Sequence, residues 1–508
     1  MFGLFTAAAL ASAVSAGNCT ALAGFALENA HIASAEFVPE GVFRASAAGA
    51  ARSSGQTIPA HCRVKLVFTP TAESEINAEL WLPATDWNGR FLAVGNGGWA
   101  GSIQGYGDMQ MALRRGYATA GTDTGHTAAD GPNGMFALGK PEKLIDFAYR
   151  AIHELAEKSK VVIAQAYGEP AQYSYFKGCS TGGRQGLMAA QRYPEDFDGI
   201  IAGAPANQHI RMHVAQSYLH IFNNRNPEYA NSYQYTADLI NRSVLRQCDV
   251  LKEGFINEPR QCDFDFKTIT CSKEAGDSSF SESCLWEHQS IETQDYYGEG
   301  LRTSNGELVY PGQVLGSPIP RLPFDFKAPD AFLWDTIRIL GFQDPDYQWR
   351  SFQLDRDLPL IMERVGFVEA VDPDLRAFQG NGGKLLMYHG WMDPGISPNS
   401  TIQYYESVVQ EMGEDLGEEL EDSMRLFMVP GMGHCSGGPG PYEFELLTVM
   451  ERWRESGKTP QEIPARNPES ELSRPLCAWP ETAVYDGRGD TKDARNWDCE
   501  EYGGEVGI

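Results

Sequence analysis

Gly178-Cys179-Ser180-Thr181-Gly182, with Gly183 behind it, stands between a strand-like run at residues 173–177 and a helix-like run at 184–193 that ends before Pro194. The frame is G-x-S-x-G. A serine held at a sharp turn from strand to helix needs glycine on either side, because side chains there would collide across the turn. The helix that follows aims its first backbone N–H groups at the serine and favours negative charge beside it. In a glycine-rich chain the five-residue pattern by itself reads equally well as a plain turn. The strand before it and the helix after it favour a nucleophile elbow with Ser180 as the nucleophile.

Outward from the elbow the alternation continues. Residues 91–94 are a short apolar run that opens into the loop Gly95-Asn96-Gly97-Gly98-Trp99-Ala100-Gly101, and residues 117–121 and 200–202 read as further buried strands. Residues 141–167 read as a long helix, with Leu144, Phe147, Ile152, Leu155 and Ala156 near helical spacing. Ahead of these, residues 63–68 and 76–82 alternate like antiparallel strands before the Trp87-Asn88-Gly89 turn. Strands alternating with helices predict a parallel sheet covered by helices, here an α/β-hydrolase fold. The alternation stops after Pro205. Residues 206–380 are rich in aromatics, Asn, Asp and Pro and carry Cys248, Cys262, Cys271 and Cys284, which reads as a large inserted lid domain. The sheet resumes at 384–388 and 425–429. The expected plan is a catalytic domain in two parts, 17–205 and 381–508, around a lid at 206–380.

In this fold the acid and the base follow the serine in chain order, each on a loop after a strand. Residues 385–388 lead to Asp393, and residues 426–429 lead to His434. Asp393 would orient the imidazole, and His434 would take the Ser180 proton. His389 lies close to Asp393 but precedes it at the strand end, which favours a structural, hydrogen-bonded histidine. Asp123 and His126 come before the serine and fit no triad order, so a turn-forming role is expected. His209 and His213 open the lid and are weaker candidates for the cleft.

The ten cysteines contain no C-x-x-C pair and argue for up to five disulfides rather than zinc. Cys179 precedes the nucleophile and Cys435 follows the base. If Ser180 and His434 meet, their neighbours must also lie close, so a Cys179–Cys435 bridge is expected. Cys477 and Cys499 would close the tail. Pairing among Cys19, Cys62 and the four lid cysteines stays open, with proximity favouring Cys19–Cys62, Cys248–Cys262 and Cys271–Cys284.

Residues 1–16 are uncharged and end in Val14-Ser15-Ala16, which reads as a signal peptide with mature protein from Gly17. No stretch is apolar enough to span a membrane. Three sequons, at Asn18, Asn241 and Asn399, fit secretion. With 41 Lys and Arg against 68 Asp and Glu, the formal charge of −27 argues against nucleic acid or anionic membranes as partners.

The segments Gly178-Cys-Ser-Thr-Gly-Gly-Arg-Gln185, Asp393 and Gly433-His434-Cys435 together resemble the tannase/feruloyl esterase family, as found in secreted fungal enzymes. The likeness extends to the Gly95–Gly98 loop, the Phe197–Ile200 stretch, the lid and the cysteine-closed tail. It implies a carboxylic ester hydrolase with Ser180, Asp393 and His434 as triad, and a disulfide joining the two catalytic loops. It also implies an oxyanion hole from the N–H of Thr181 with one from Gly97 or Gly98. Lids of this family often hold calcium after a Cys-Asp pair. Here Cys248-Asp249 is followed by a shortened loop with Lys252 where an acid is expected, so no well-formed calcium site, and no cofactor, is predicted. The implied substrates are esters of phenolic acids, hydroxycinnamates on plant-wall sugars foremost, as small molecules or polysaccharide-linked. Galloyl esters, as for a tannase, and other aromatic monoesters are the alternatives. An inactive binding module on a hydrolase scaffold is the reading from a different class.

Overall fold

The computed structural model describes residues 13–43, 56–225, 233–271, 284–287, 290, 295–318 and 329–501. The first twelve residues of the expected signal peptide lie outside that set. The chain forms two compact units, one of Met1–Asp130, Lys140–Lys177 and Asp196–Asp198, the other of Gly131–Gly139, Gly178–Glu195 and Gly199–Ile508.

The main sheet of the first unit has six strands among the described residues: β1 (Ala30–Val38), β2 (His61–Phe68), β3 (Ile76–Pro83), β4 (Arg90–Val94), β5 (Ala118–Thr122) and β6, which begins at Tyr173 and runs into the elbow at Cys179. They lie in the order β1-β2-β3-β5-β4-β6. The first three and β5 pair antiparallel, whereas β4 pairs parallel with both β5 and β6. The composition of each strand matches its place. Along β2, Val64, Leu66 and Phe68 are buried while Lys65 faces outward, the alternation of a half-covered strand. Phe91 to Val94 of β4 are all buried, as a strand covered on both faces requires. Strand β1 is an addition to the expected plan. Its Ala, Ser and His residues alternate too weakly in hydrophobicity to mark it, and only Ile32 and Ala35 are buried.

Helix α1 (Tyr106–Arg114) buries Met109, Ala112 and Leu113. The helix expected at 141–167 begins with Pro141 at its first turn and ends at Gly168, whose φ of 78° is easy only for glycine. It is interrupted by a π turn at Asp146–Arg150, where buried Asp146 accepts from Arg150 Nε at 2.5 Å and from Ser74 at 3.2 Å. Its final part, α2 (Ala151–Tyr167), buries Ile152, Leu155 and Ala156. A disulfide joins Cys19 to Cys62.

The second unit carries three parallel strands, β7 (Gly199–Gly203), β8 (Lys384–Gly390) and β9 (Met424–Val429), with β8 in the middle. All three are buried along nearly their whole length, consistent with helices on both faces. Helix α3 (Thr181–Arg192) follows the elbow. Between β7 and β8 lies the segment expected as a lid, with α4 (His209–Arg225), α5 (Tyr233–Cys248) and a small hairpin of Leu301–Arg302 with Leu308–Tyr310. It has an apolar cluster of its own, including Ile240, Val244, Phe264, Phe266 and Leu285, stapled by Cys248–Cys262 and Cys271–Cys284. Helix α6 (Pro398–Leu416) crosses from β8 to β9, and α7 (Leu446–Ser456) follows β9. Two antiparallel strand pairs form the tail, closed by Cys477–Cys499.

The loop after Cys248 is tied to this tail. Asp249 accepts from the amides of Glu253 and Gly254 at 3.0 and 2.8 Å. Glu253 pairs with Arg474 at 3.0 Å, and the fully buried guanidinium stacks 3.6 Å from the centre of the Trp497 ring. The acids of the loop are thus committed to protein donors. Among the described residues no group of three or more His, Cys, Asp or Glu is placed to hold a metal ion.

Candidate active site

The turn between β6 and α3 places Ser180 at φ 64° and ψ −124°, a conformation costing about 1–3 kcal/mol that only a well-braced loop maintains. The bracing is backbone: Ser180 N donates to Gly203 O at 3.0 Å, and Ser180 O accepts from Arg184 N and Ala206 N at 3.1 Å. The flanking glycines are sterically required. A Cβ on Gly178 would stand 2.5 Å from the carbonyl carbon of Gly182, and one on Gly183 would overlap Gly203 O. Ser180 itself is half-buried, at the start of a helix whose first residue is Thr181.

Asp393 lies three residues past β8 and is fully buried. Its Oδ1 accepts from the amides of Gly395 at 2.8 Å and Ile396 at 3.0 Å. Its Oδ2 accepts from His434 Nδ1 at 2.6 Å and from His389 Nε2 at 3.1 Å. Burial alone would raise the Asp393 pKa. The hydrogen bonds from the two imidazoles, and then their charge, outweigh it and hold the carboxyl well below the usual carboxylate range. His434 is the mirror case. Desolvation opposes its charge, but the Asp393 hydrogen bond and charge prevail and raise its pKa above the ordinary imidazole value. Its side chain keeps 37% exposure.

The disulfide Cys179–Cys435, with Cα atoms 5.9 Å apart, joins the elbow to the loop of His434. Asp393 and His434 are therefore in direct contact, and Ser180 is tied to His434 through the neighbouring half-cystines.

The weaker candidates fall elsewhere. Asp123 accepts from Asn77 N, Asn77 Nδ2 and Gly125 N at 2.8–3.0 Å, a turn-capping pattern. His126 is buried, bonds Trp99 O at 2.8 Å, and has its pKa lowered to about 4 by burial. His209 and His213 pack ring to ring at 4.4 Å inside the second unit, and His213 Nδ1 meets Thr336 Oγ1 at 2.7 Å. Of the two oxyanion candidates on the glycine loop, Gly97 donates its amide to Gln104 Oε1 at 2.8 Å, and Gly98 takes φ 55°.

A cavity of about 670 Å³ opens in the second unit. Tyr218, Tyr296 and Phe332 give it aromatic walls, Arg302 lies in its lining, and Pro394 and Gly395 of the Asp393 loop form another side. No pattern in the sequence marks this cavity. The donor amides of Gly395 and Ile396 also escape a sequence reading, although an Asp followed by Pro-Gly is a turn signal that could point to them.

The family profile described as tannase and feruloyl esterase matches residues 62–320 and 327–500. A probable feruloyl esterase B-2 of Aspergillus terreus is 34% identical over 502 residues, covering 93% of each chain. The crystal structure of feruloyl esterase B from Aspergillus oryzae superposes with a TM-score of 0.84 at 30% identity, over 96% of this chain and 100% of that one. A tannin acyl hydrolase from Aspergillus niger shares the fold, with a TM-score of 0.76 at 23% identity over 96% of this chain and 95% of its own. These structures place the chain among the α/β-hydrolases.

Proposed function

The chain belongs to the tannase and feruloyl esterase family of carboxylic ester hydrolases, and we propose that it cleaves esters of phenolic acids through an acyl-enzyme on Ser180. The observation that carries the mechanism is the Asp393–His434 pair, joined at 2.6 Å and linked covalently to the residue before Ser180. His434 Nε2 takes the Ser180 proton as Oγ attacks the ester carbonyl. Asp393 holds the imidazole with its proton on Nδ1 and stabilises the imidazolium that forms. The N–H of Thr181, at the head of α3, donates to the tetrahedral oxyanion, and a second donor from the Gly97–Gly98 loop belongs to the same proposal. His434 then protonates the departing alcohol, and a water activated by the same imidazole releases the acid.

The aromatic cavity beside the Asp393 loop is the proposed seat of the acyl ring. Its volume falls in the range of small-molecule sites, about 300–1,000 Å³, and its walls are the kind an aromatic acid needs. Hydroxycinnamoyl esters are the proposed class, whether small or attached to polysaccharide. Secretion belongs to the proposal as well. Five disulfides support an oxidising destination, and among the described residues no helix is long and apolar enough to cross a membrane. Cleavage after Ala16 would remove Ser15, which caps the helix Ala16–Ala21, and leave Cys19–Cys62 to hold that helix. Of the sequons, Asn399 spends its amide nitrogen on Gly312 O at 2.9 Å and is a poor acceptor for a glycan.

The test is hydrolysis of methyl ferulate, caffeate, p-coumarate, sinapate and gallate by the wild type and by Ser180→Ala. Cinnamate turnover that vanishes in the variant is the expected result. Turnover of gallate alone would make the enzyme a tannase with the same mechanism, and turnover retained by Ser180→Ala would overturn the nucleophile.

A further inference from the structure

His389 is the last-but-one residue of β8 and is fully buried, as is Asp393. Its two ring nitrogens are both engaged. Nε2 faces Asp393 Oδ2 at 3.1 Å, the same oxygen that His434 Nδ1 reaches at 2.6 Å. Nδ1 meets Thr401 Oγ1, on the first turn of α6, at 2.7 Å. A carboxylate only accepts, so both nitrogens that face Oδ2 carry their protons. In the tautomer with its proton on Nε2, the lone pair of His389 lies on Nδ1, where the Thr401 hydroxyl can donate. Thr401 therefore selects the tautomer that presents an N–H to Asp393.

We infer that His389 is a positioning residue of the esterase reaction, fixing the Asp393 carboxylate and weakening its basicity so that the shared proton stays on His434. The inference rests on the triad reading given above. The four donors divide evenly, two backbone amides on Oδ1 and two imidazoles on Oδ2, so the carboxylate cannot turn without breaking a bond. Without His389, Oδ2 has His434 as its single side-chain donor. The carboxylate would then be freer to turn and, with one donor fewer, more basic, which makes the imidazolium harder to deprotonate. Among the described residues, the titratable groups facing Asp393 are His389 from β8, His434 from the loop after β9, and Tyr310 from the Leu308–Tyr310 strand, whose hydroxyl accepts from the Ser397 amide at 3.0 Å. Ser317 Oγ donates to the backbone carbonyl of Asp393 at 2.9 Å and does not reach the carboxylate.

The experiment compares His389→Met, which removes the donor at similar volume, with His389→Gln, whose Nε2 can replace it, using methyl ferulate across pH. In His389→Met, kcat should fall about 10- to 100-fold with KM within about two-fold, as expected when a catalytic group is loosened and substrate binding is left intact. The acid limb of kcat/KM should move up by about half to one pH unit, because His434 no longer competes with a second imidazole for Asp393. His389→Gln should restore both most of the way. Should His389→Met fail to fold, Thr401→Val gives a second route: releasing the tautomer should move the acid limb upward by a smaller step at unchanged KM. An unmoved acid limb in either folded variant, or His389→Gln as impaired as His389→Met, would overturn the inference. Ser180→Ala separates the two readings. If it is inactive while the His389 variants are silent, only this inference falls; if it is active, the triad reading falls first.

Discussion

Two buried aspartates, one in each unit, make opposite use of the same burial. Asp123 is 4% exposed and Asp393 is 0% exposed, and each has a histidine within four residues in sequence. Asp123 is surrounded by amide donors from Asn77 and Gly125. Those bonds do not offset desolvation, and its pKa is pushed up to about 6. Asp393 has two amides as well, but adds two imidazoles that can share or carry charge, and its carboxyl is held far down instead. Burial alone makes a carboxylate a reluctant anion. A partner able to become a cation turns the same burial into an orienting device.

The largest effect that could break this contrast is kinetic. Asp393→Asn should cut kcat roughly 10³- to 10⁴-fold, since the amide stabilises the wrong imidazole tautomer. Asp123→Asn should stay within about ten-fold of wild type on the same ester. Equal losses in steady-state assays would mean that Asp123 works in the reaction and the contrast is false.

Next in size is the clamp. All of Asp123's donors come from its own loop or the adjacent strand, whereas Asp393 depends on a histidine 41 residues further along the chain. Removing the bridge with Cys179→Ser and Cys435→Ser together should lower kcat about 10- to 100-fold while the fold, followed by circular dichroism, persists. Unchanged turnover would show that the His434 loop holds its place unaided.

The last effect is on stability rather than on rate. Because the Asp123 pKa is raised, the folded chain binds its proton more tightly than the unfolded chain. Stability from this group falls as pH rises from the ordinary carboxylate range to about 6, by about 3 kcal/mol in all. Asp393 has the reverse sign, its contribution being lost only as pH falls towards its own depressed pKa. Asp123→Asn, which cannot ionise, should therefore gain on wild type in thermal unfolding between pH 4 and 6, on top of a pH-independent offset. A constant difference across that window would show that Asp123 titrates normally.

Much of this was legible in the sequence, for physical reasons. Strands β4, β7, β8 and β9 are buried along nearly their whole length and write themselves as apolar runs, so the ends of β8 and β9, where Asp393 and His434 follow, could be read; Ser180, after the more polar β6, was marked by its glycine frame. The edge strand β1 could not, because Ala30, Ala33, Ser34 and Ala35 leave it with too little hydrophobic contrast between its faces. Nor could the interior of the segment between β7 and β8, whose cluster joins Leu239, Ile240 and Val244 of α5 to scattered residues of irregular segments, Ile256, Phe264, Phe266 and Leu285, that share no period with them. His389 was visible as a hydrogen-bonded histidine beside the acid. That it shares an oxygen with His434 depends on the side-chain directions of β8 and α6, which spacing does not carry.

The bridge between Cys179 and Cys435 spans 256 residues and closes the chain into a covalent ring, with the whole lid and its two local bridges strung inside it. The entropy of closing such a ring grows only with the logarithm of its length, about 0.6 kcal/mol per doubling. Residues can be inserted into or deleted from the segment between β7 and β8 with little effect on how firmly the Ser180 and His434 loops are fastened. The molecule is in that sense modular within a single ring: the segment between β7 and β8 is free to diverge, and the loops of Ser180 and His434 stay where the ring holds them.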